Sequence, residues 1–165
     1  MFKIGGNKPI LIVFDLDFTL WPFWVDTHYS PPFEKRPDGT VVDKEGKTIK
    51  PFPQSTVVLK SLIDNGIQLG VASRTSEIQG AKQLIDFFDW SQYFSFVEIF
   101  PGCKTTHFER IRDQSGVAYK DMLFFDDEGR NIKDVEKMGV VSHLVKNGMN
   151  KDVVLKGIKK FNSAN

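Results

Sequence analysis

Asp15 and Asp17 stand two residues apart, and Thr19 follows on the same spacing, in "PILIVFDLDFTLW" from Pro9 to Trp21. The five residues before Asp15, Ile10 to Phe14, are all apolar. Two carboxylates at the end of such a run repel each other and resist burial unless something compensates them. Three arrangements would account for the placement. The pair is a solvated turn, a metal site, or a catalytic pair in which one acid attacks and the other moves protons. A lone Asp-Leu-Asp is common in turns, so the choice depends on what else the fold brings beside it.

The run Ile10 to Phe14 is short, unalternating and rich in β-branched residues, the pattern of a buried strand. Further strands are predicted at "IQLGVAS", ending at Ser73, at "FSFVEIF", at "DMLFF", ending at Asp126 and Asp127, and at "VVSHLV". Helical periodicity fills the intervals. "QSTVVLKSLIDNG" has Ser55 as its cap and Gly66 as its stop, and "SEIQGAKQLIDFF" gathers Ile78, Ala81, Leu84, Ile85 and Phe88 on one face. "TTHFERIRDQSG", closed by Gly116, then "RNIKDVEKMG" and "KDVVLKGIKKF" complete the set. Strands alternating with helices imply βαβ units and a mainly parallel sheet covered on both faces, an α/β fold. From Trp21 to Pro53 the pattern breaks into prolines, aromatics and the two Gly turns of "PDGTVVDKEGKTIK", which predict a small hairpin. A helix-free segment of this length reads as a lid or binding loop. Trp21, Phe23 and Trp24 read as packing for that loop first, and as a surface for an aryl phosphate second.

In open parallel sheets, ligands bind just beyond the carboxyl ends of the strands. That rule gathers Asp15 and Asp17, Ser73 and Arg74, Asp126 and Asp127 on one rim, with Lys104 at the mouth of the next helix. Several carboxylates with few neutral ligands call for a hard cation, and oxygen coordination with room for water suits Mg²⁺. Lys104 and Ser73 would hold a phosphate, an aspartate can attack phosphorus, and a second acid can protonate the leaving group. His28, His107 and His143 are scattered without metal-ligand spacing. His28 and His107 read as structural or solvent-facing.

"DLDFT" resembles the first motif of the haloacid dehalogenase superfamily, whose phosphatases carry Asp-x-Asp-x-Thr or Val. "VASRT", Lys104 and "FFDDE" resemble its other three motifs. The longer stretches "FDLDFTLWPFWVDTH", "ASRTSEIQGA", "KTTHFERI" and "FFDDEGRNI" resemble the eukaryotic magnesium-dependent phosphatases, members with a minimal cap. The resemblance covers about Pro9 to Val145. It implies a Rossmann-like three-layer αβα sandwich, with strand order 5-4-1-2-3 in chain numbering and a flap at about 21–53 in place of a large cap. It also implies one Mg²⁺ and a set of roles. Asp15 would be nucleophile and metal ligand, and Asp17 the general acid/base with its main-chain carbonyl on the metal. Asp127 would be the direct acidic-motif ligand, with Asp126 beside it as an outer or alternative ligand. Thr19, Ser73, Arg74 and Lys104 would bind the substrate. The presence of Asp17 favours phosphoester hydrolysis or phosphoryl transfer over dehalogenation. The implied substrates are phosphoproteins, notably phosphotyrosine and other aryl phosphates, or small sugar phosphates. Two rivals stand beside this reading. A non-catalytic module binding phosphorylated partners would be expected to have lost one of the acids, and a phosphotransferase such as a phosphomutase generally brings a larger cap.

Bulk properties narrow the partners. The chain has 165 residues, 41% of them hydrophobic, which suits one globular domain over 1–165. Twenty-two Lys and Arg against 21 Asp and Glu leave a net charge of +1, which gives no electrostatic reason to expect nucleic acid or an anionic membrane. One cysteine, Cys103, excludes an intramolecular disulfide and a Cys-based zinc site. The first apolar run is too short for a secretion signal or a membrane span. A monomer in the cytoplasm is the expectation.

Overall fold

The computed structural model describes residues 2–165. Leu11–Phe14 (β1) is buried along its whole length and pairs in parallel with Gln68–Ser73 (β4) on one side and Met122–Asp126 (β6) on the other. Phe94–Ile99 (β5) extends the sheet beyond β4, and Val141–Leu144 (β7) extends it beyond β6. The sheet order is therefore β5-β4-β1-β6-β7. Numbered by chain order within this sheet it reads 5-4-1-2-3 from the opposite edge, the order the resemblance implied.

Alternation along β1 divides the core. Ile12 and Phe14 belong to one buried cluster with Leu59, Leu62, Ala81, Leu84, Ile158 and Phe161, from Ser55–Asp64 (α1), Ile78–Phe87 (α2) and Lys151–Ala164 (α5). Leu11 and Val13 belong to another with Phe108, Ile111, Ile132 and Val135, from Lys104–Ser115 (α3) and Gly129–Glu136 (α4). Successive side chains of a strand point to opposite faces, so helices must cover both. The result is a three-layer α/β sandwich.

One helix boundary differs from the sequence reading. Ser55 is the first helical residue of α1, and Gln54 occupies the cap position without a side-chain cap bond. The Ser55 hydroxyl instead donates to the Leu20 carbonyl at 2.7 Å, tying the helix to the chain beyond β1. Tertiary demand took the hydroxyl away from its local use. Gly66 and Gly116 end α1 and α3 at φ +80° and +70°, conformations that favour glycine.

The flap contains the hairpin Glu34–Lys35 (β2) with Val41–Val42 (β3), and a bridge from Val42 to Thr48 closes a second turn. Asp43 fastens it by accepting from the main-chain N–H groups of Ser30, Glu45 and Lys47. Trp21 is fully buried, stacked between Phe23 at 5.4 Å and Trp90 at 6.1 Å. The packing reading therefore fits Trp21 and Phe23. It does not fit Trp24, which is 50% exposed.

Candidate active site

Each strand that ends on the rim delivers one chemical group. Asp15 leaves β1 with its N–H still donating to Phe125 in β6 at 2.9 Å, which fixes the backbone of the acid against the sheet. Ser73 and Asp126 are the last residues of β4 and β6, and Lys104 is the first of α3. The Lys104 ammonium is 1% exposed and lies 2.7 Å from Asp15 Oδ1 and 2.6 Å from Asp126 Oδ2. Thr19 donates its hydroxyl to Asp15 Oδ2 at 3.1 Å. Asp126 also accepts from the Glu128 N–H at 2.8 Å and from Asn131 Nδ2 at 3.1 Å. Asn131 reaches the other way through Oδ1, which accepts from Arg74 at 3.0 Å.

Asp17 sits apart from this cluster. Its Oδ1 accepts from the Trp21 indole at 2.8 Å and from the Val25 N–H at 3.2 Å. Burial pushes its carboxyl up to about 6, against the pull of those two donors. A carboxyl of that acidity can give and take a proton near neutral pH. His107 lies beneath the rim, with Nε2 2.8 Å from the carbonyl oxygens of both Ser73 and Phe100. Nδ1 lies 3.2 Å from the Cys103 carbonyl, so main-chain acceptors flank both ring nitrogens, and burial lowers the imidazole's pKa against their pull. His107 is structural, as its sequence reading had it.

The donor set fits a divalent metal. Carboxylate oxygens of Asp15, Asp126 and Asp127 lie within 4.8 Å of one another. Burial, and then the charge of Asp126, drive Asp15 well above the usual carboxylate range despite Lys104. Burial raises Asp127 as well. For Lys104, burial would lower the ammonium, but Asp15 and Asp126 outweigh it and keep it charged. Three carboxylates facing one ammonium leave negative charge uncompensated, and all the acidic ligands offered are hard oxygen. Asp126 has its oxygens engaged by three protein donors, whereas Asp127 faces the cavity.

That cavity has a volume of about 380 Å³, and Asp15, Asp17, Ser73, Arg74, Lys104 and Asp127 all line it. Of the residues singled out in the sequence, Thr19 and Asp126 lie behind these. Thr19 is fully buried against Asp15, so it meets a ligand only through that acid. Asn131 was not selected from the sequence, and Trp24 was read there mainly as packing. Asn131 joins Asp126 to Arg74 in the first turn of α4, and Trp24 forms part of the cavity wall. A polar residue just after an acidic strand end was the available signal for Asn131.

Residues 7–164 match the sequence profile of the acid phosphatase family. The chain belongs to the acid phosphatase family. This family member is 51% identical over 159 residues to human magnesium-dependent phosphatase 1, a match spanning 96% of this chain and 90% of that protein. It is 40% identical over 155 residues to a HAD-like hydrolase superfamily protein of Schizosaccharomyces pombe, across 86% of this chain and 90% of that one. Membership of the haloacid dehalogenase superfamily follows. The fold agrees: the crystal structure of a HAD-superfamily hydrolase from Ehrlichia chaffeensis superimposes with a TM-score of 0.70 at 10% identity, over 95% of this chain and 99% of that chain.

Proposed function

We propose that this acid phosphatase family member is a Mg²⁺-dependent phosphomonoesterase that works through an aspartyl-phosphate on Asp15. The observation carrying this is the division of labour between two acids. Asp15 is fixed by Lys104 and Thr19 at the cavity floor, while Asp17 stands clear of the carboxylate cluster with a raised pKa. Asp15 attacks phosphorus, the ester P–O bond breaks, and Asp17 gives its proton to the departing oxygen. Asp17 then takes a proton from the water that attacks the phosphoenzyme, which frees phosphate and restores Asp15. Proton transfer of this kind contributes about 10²- to 10⁴-fold, and charge stabilisation supplies much of the rest. Mg²⁺, held by Asp15, Asp127 and the main-chain carbonyl of Asp17, would neutralise charge between the nucleophile and the phosphate dianion. Ser73, Arg74 and Lys104 bind the phosphoryl group, Thr19 orients Asp15, and Asp126 anchors Lys104.

The flap is small, so the mouth admits phosphoproteins and aryl phosphates of the phosphotyrosine type as well as small sugar phosphates. The names of the relatives support phosphatase chemistry over a binding-only module, and the acids such a module could lose are all in place. The absence of a large cap speaks against a phosphomutase. Asp15→Asn keeps the side-chain shape and one oxygen for Lys104, and removes the attacking carboxylate. It should retain the wild-type circular dichroism spectrum and lose Mg²⁺-dependent hydrolysis of p-nitrophenyl phosphate by at least about a thousandfold. A folded variant with full activity overturns the mechanism.

A further inference from the structure

Beside the catalytic cavity lies a second one, of about 530 Å³, which shares Trp24 and Asp127 with it. Phe18, Pro22, Phe52 and Val145 give this space apolar walls, and exposed Lys146 also lines it. Lys146 forms no ion pair among the described residues. Its volume falls in the range of small-molecule sites, roughly 300–1,000 Å³.

The wall shared by the two cavities is held rigidly. The Trp24 indole stacks on His28 with centroids 5.4 Å apart and planes 6° apart, and the Phe18 ring meets it edge-on at 5.1 Å. His28 Nδ1 accepts from the Trp24 N–H at 2.9 Å, which locks the ring pair to the backbone. Phe18 has φ +57°, a left-handed conformation that costs a non-glycine residue on the order of 1–2 kcal/mol. Three residues earlier, Trp21 is buried completely, between Phe23 of the flap and Trp90. Trp24 is left half in solvent, although the chain around it has the means to bury an indole. A rigid, half-exposed aromatic face beside a nucleophile is a preorganised surface for a ligand. Its position indicates which part of the ligand. The leaving oxygen must approach Asp17, whose carboxylate accepts from the Val25 N–H, next to Trp24. The body of the leaving group therefore emerges on the Trp24 side.

We propose that the second cavity is the leaving-group subsite, taking a planar apolar leaving group across Trp24 and pairing Lys146 with an anionic substituent at its far end. This rests on the phosphomonoesterase reading above. Phenyl phosphate, 4-carboxyphenyl phosphate and glycerol phosphate, tested on the full chain with Mg²⁺, separate the contributions. Each variant is compared with wild type on the same substrate, which removes differences in intrinsic reactivity. Trp24→Ala should lower kcat/KM for both aryl phosphates at least about tenfold more than for glycerol phosphate, chiefly through KM. Lys146→Met should selectively weaken the carboxylated substrate, by about three- to fivefold, as expected for an exposed ion pair. Damage to the flap alone would instead disturb Asp17 and hurt glycerol phosphate most, because the alkoxide needs the acid most. Equal losses on all three substrates, or larger losses on glycerol phosphate, overturn the subsite. A wild-type chain that hydrolyses none of the three overturns the phosphatase reading itself and the subsite with it.

Discussion

Asp15 and Asp17 are the same residue type two positions apart, and their surroundings differ in kind. Asp15 lies against an ammonium and a hydroxyl, with two further carboxylates close by, so a cation decides its charge. Asp17 has no lysine at hydrogen-bond distance and is held by an indole and an amide, both neutral donors. Burial is what lifts it to about 6, while in an unfolded chain it would titrate near ~3.9. A folded pKa above the unfolded one means that the folded state holds this proton more tightly. The associated stability is full below about pH 4 and is lost as pH rises through about 6. Asn at this position keeps an oxygen for Trp21 and Val25 and never ionises. Asp17→Asn should therefore be more stable than wild type at pH 7.5 by on the order of 1–2 kcal/mol, with the gain vanishing near pH 4. Its hydrolysis of alkyl phosphates should fall about 10²- to 10⁴-fold. Thermal melts across that pH range check the first part, and a variant destabilised at pH 7.5 would contradict it.

At the scale of elements, a glycine inside α5 explains how a distant helix sets the position of the acidic strand end. A Cβ at Gly157 would collide with the Phe125 ring. That ring is fully buried and stacked on Phe14 at 5.5 Å, so it has little room to retreat. Phe125 also precedes Asp126 and accepts the Asp15 N–H through its carbonyl. Alanine would gain about 1 kcal/mol of helix propensity, but overpacking a core costs about 1–3 kcal/mol. Gly157→Ala should lower Tm and reduce kcat, and a higher Tm would show that the ring yields freely. The sequence pattern located α5 but held no reason for its glycine, because the reason is a ring in another layer. Similar limits run through the chain. Buried apolar runs such as Ile10 to Phe14 and "DMLFF" marked the strands, and the strand-end rule then assembled Asp15, Ser73, Lys104 and Asp127. Pattern alone did not order the strands, since pairing is non-local; the order came from family resemblance. Trp21 and Trp24 share type and neighbourhood, and only the tertiary fold buries one and exposes the other. Asn131 and His107 act through hydrogen bonds across the fold, which local spacing does not record.

The whole molecule is organised so that its central strands end in mutual repulsion. Asp15 follows β1, the middle strand of the sheet, Asp126 closes the neighbouring β6, and Lys104 of α3 is the protein's own answer to their charge. Without metal, Asp15 and Asp127 carry raised pKa values through burial and through the neighbouring charge of Asp126. Their contribution to stability is present at low pH and lost as they ionise. A divalent cation binding only the folded chain reverses that penalty, and at about a hundredfold excess over its Kd it adds about 2.7 kcal/mol. Mg²⁺ should therefore raise Tm relative to EDTA, with a larger rise at pH 8 than at pH 5. Lys104→Met sharpens the expectation. Removing one partner of a buried ion pair costs about 3–5 kcal/mol, reduced here to the extent that the stranded carboxylates take up protons. The variant should be less stable than wild type in EDTA, yet gain more from Mg²⁺, because the cation then supplies the charge that Lys104 gave to Asp15 and Asp126. Should Mg²⁺ shift neither Tm, the carboxylates at the strand ends do not form its site, and their compensation comes from Lys104 and bound protons alone.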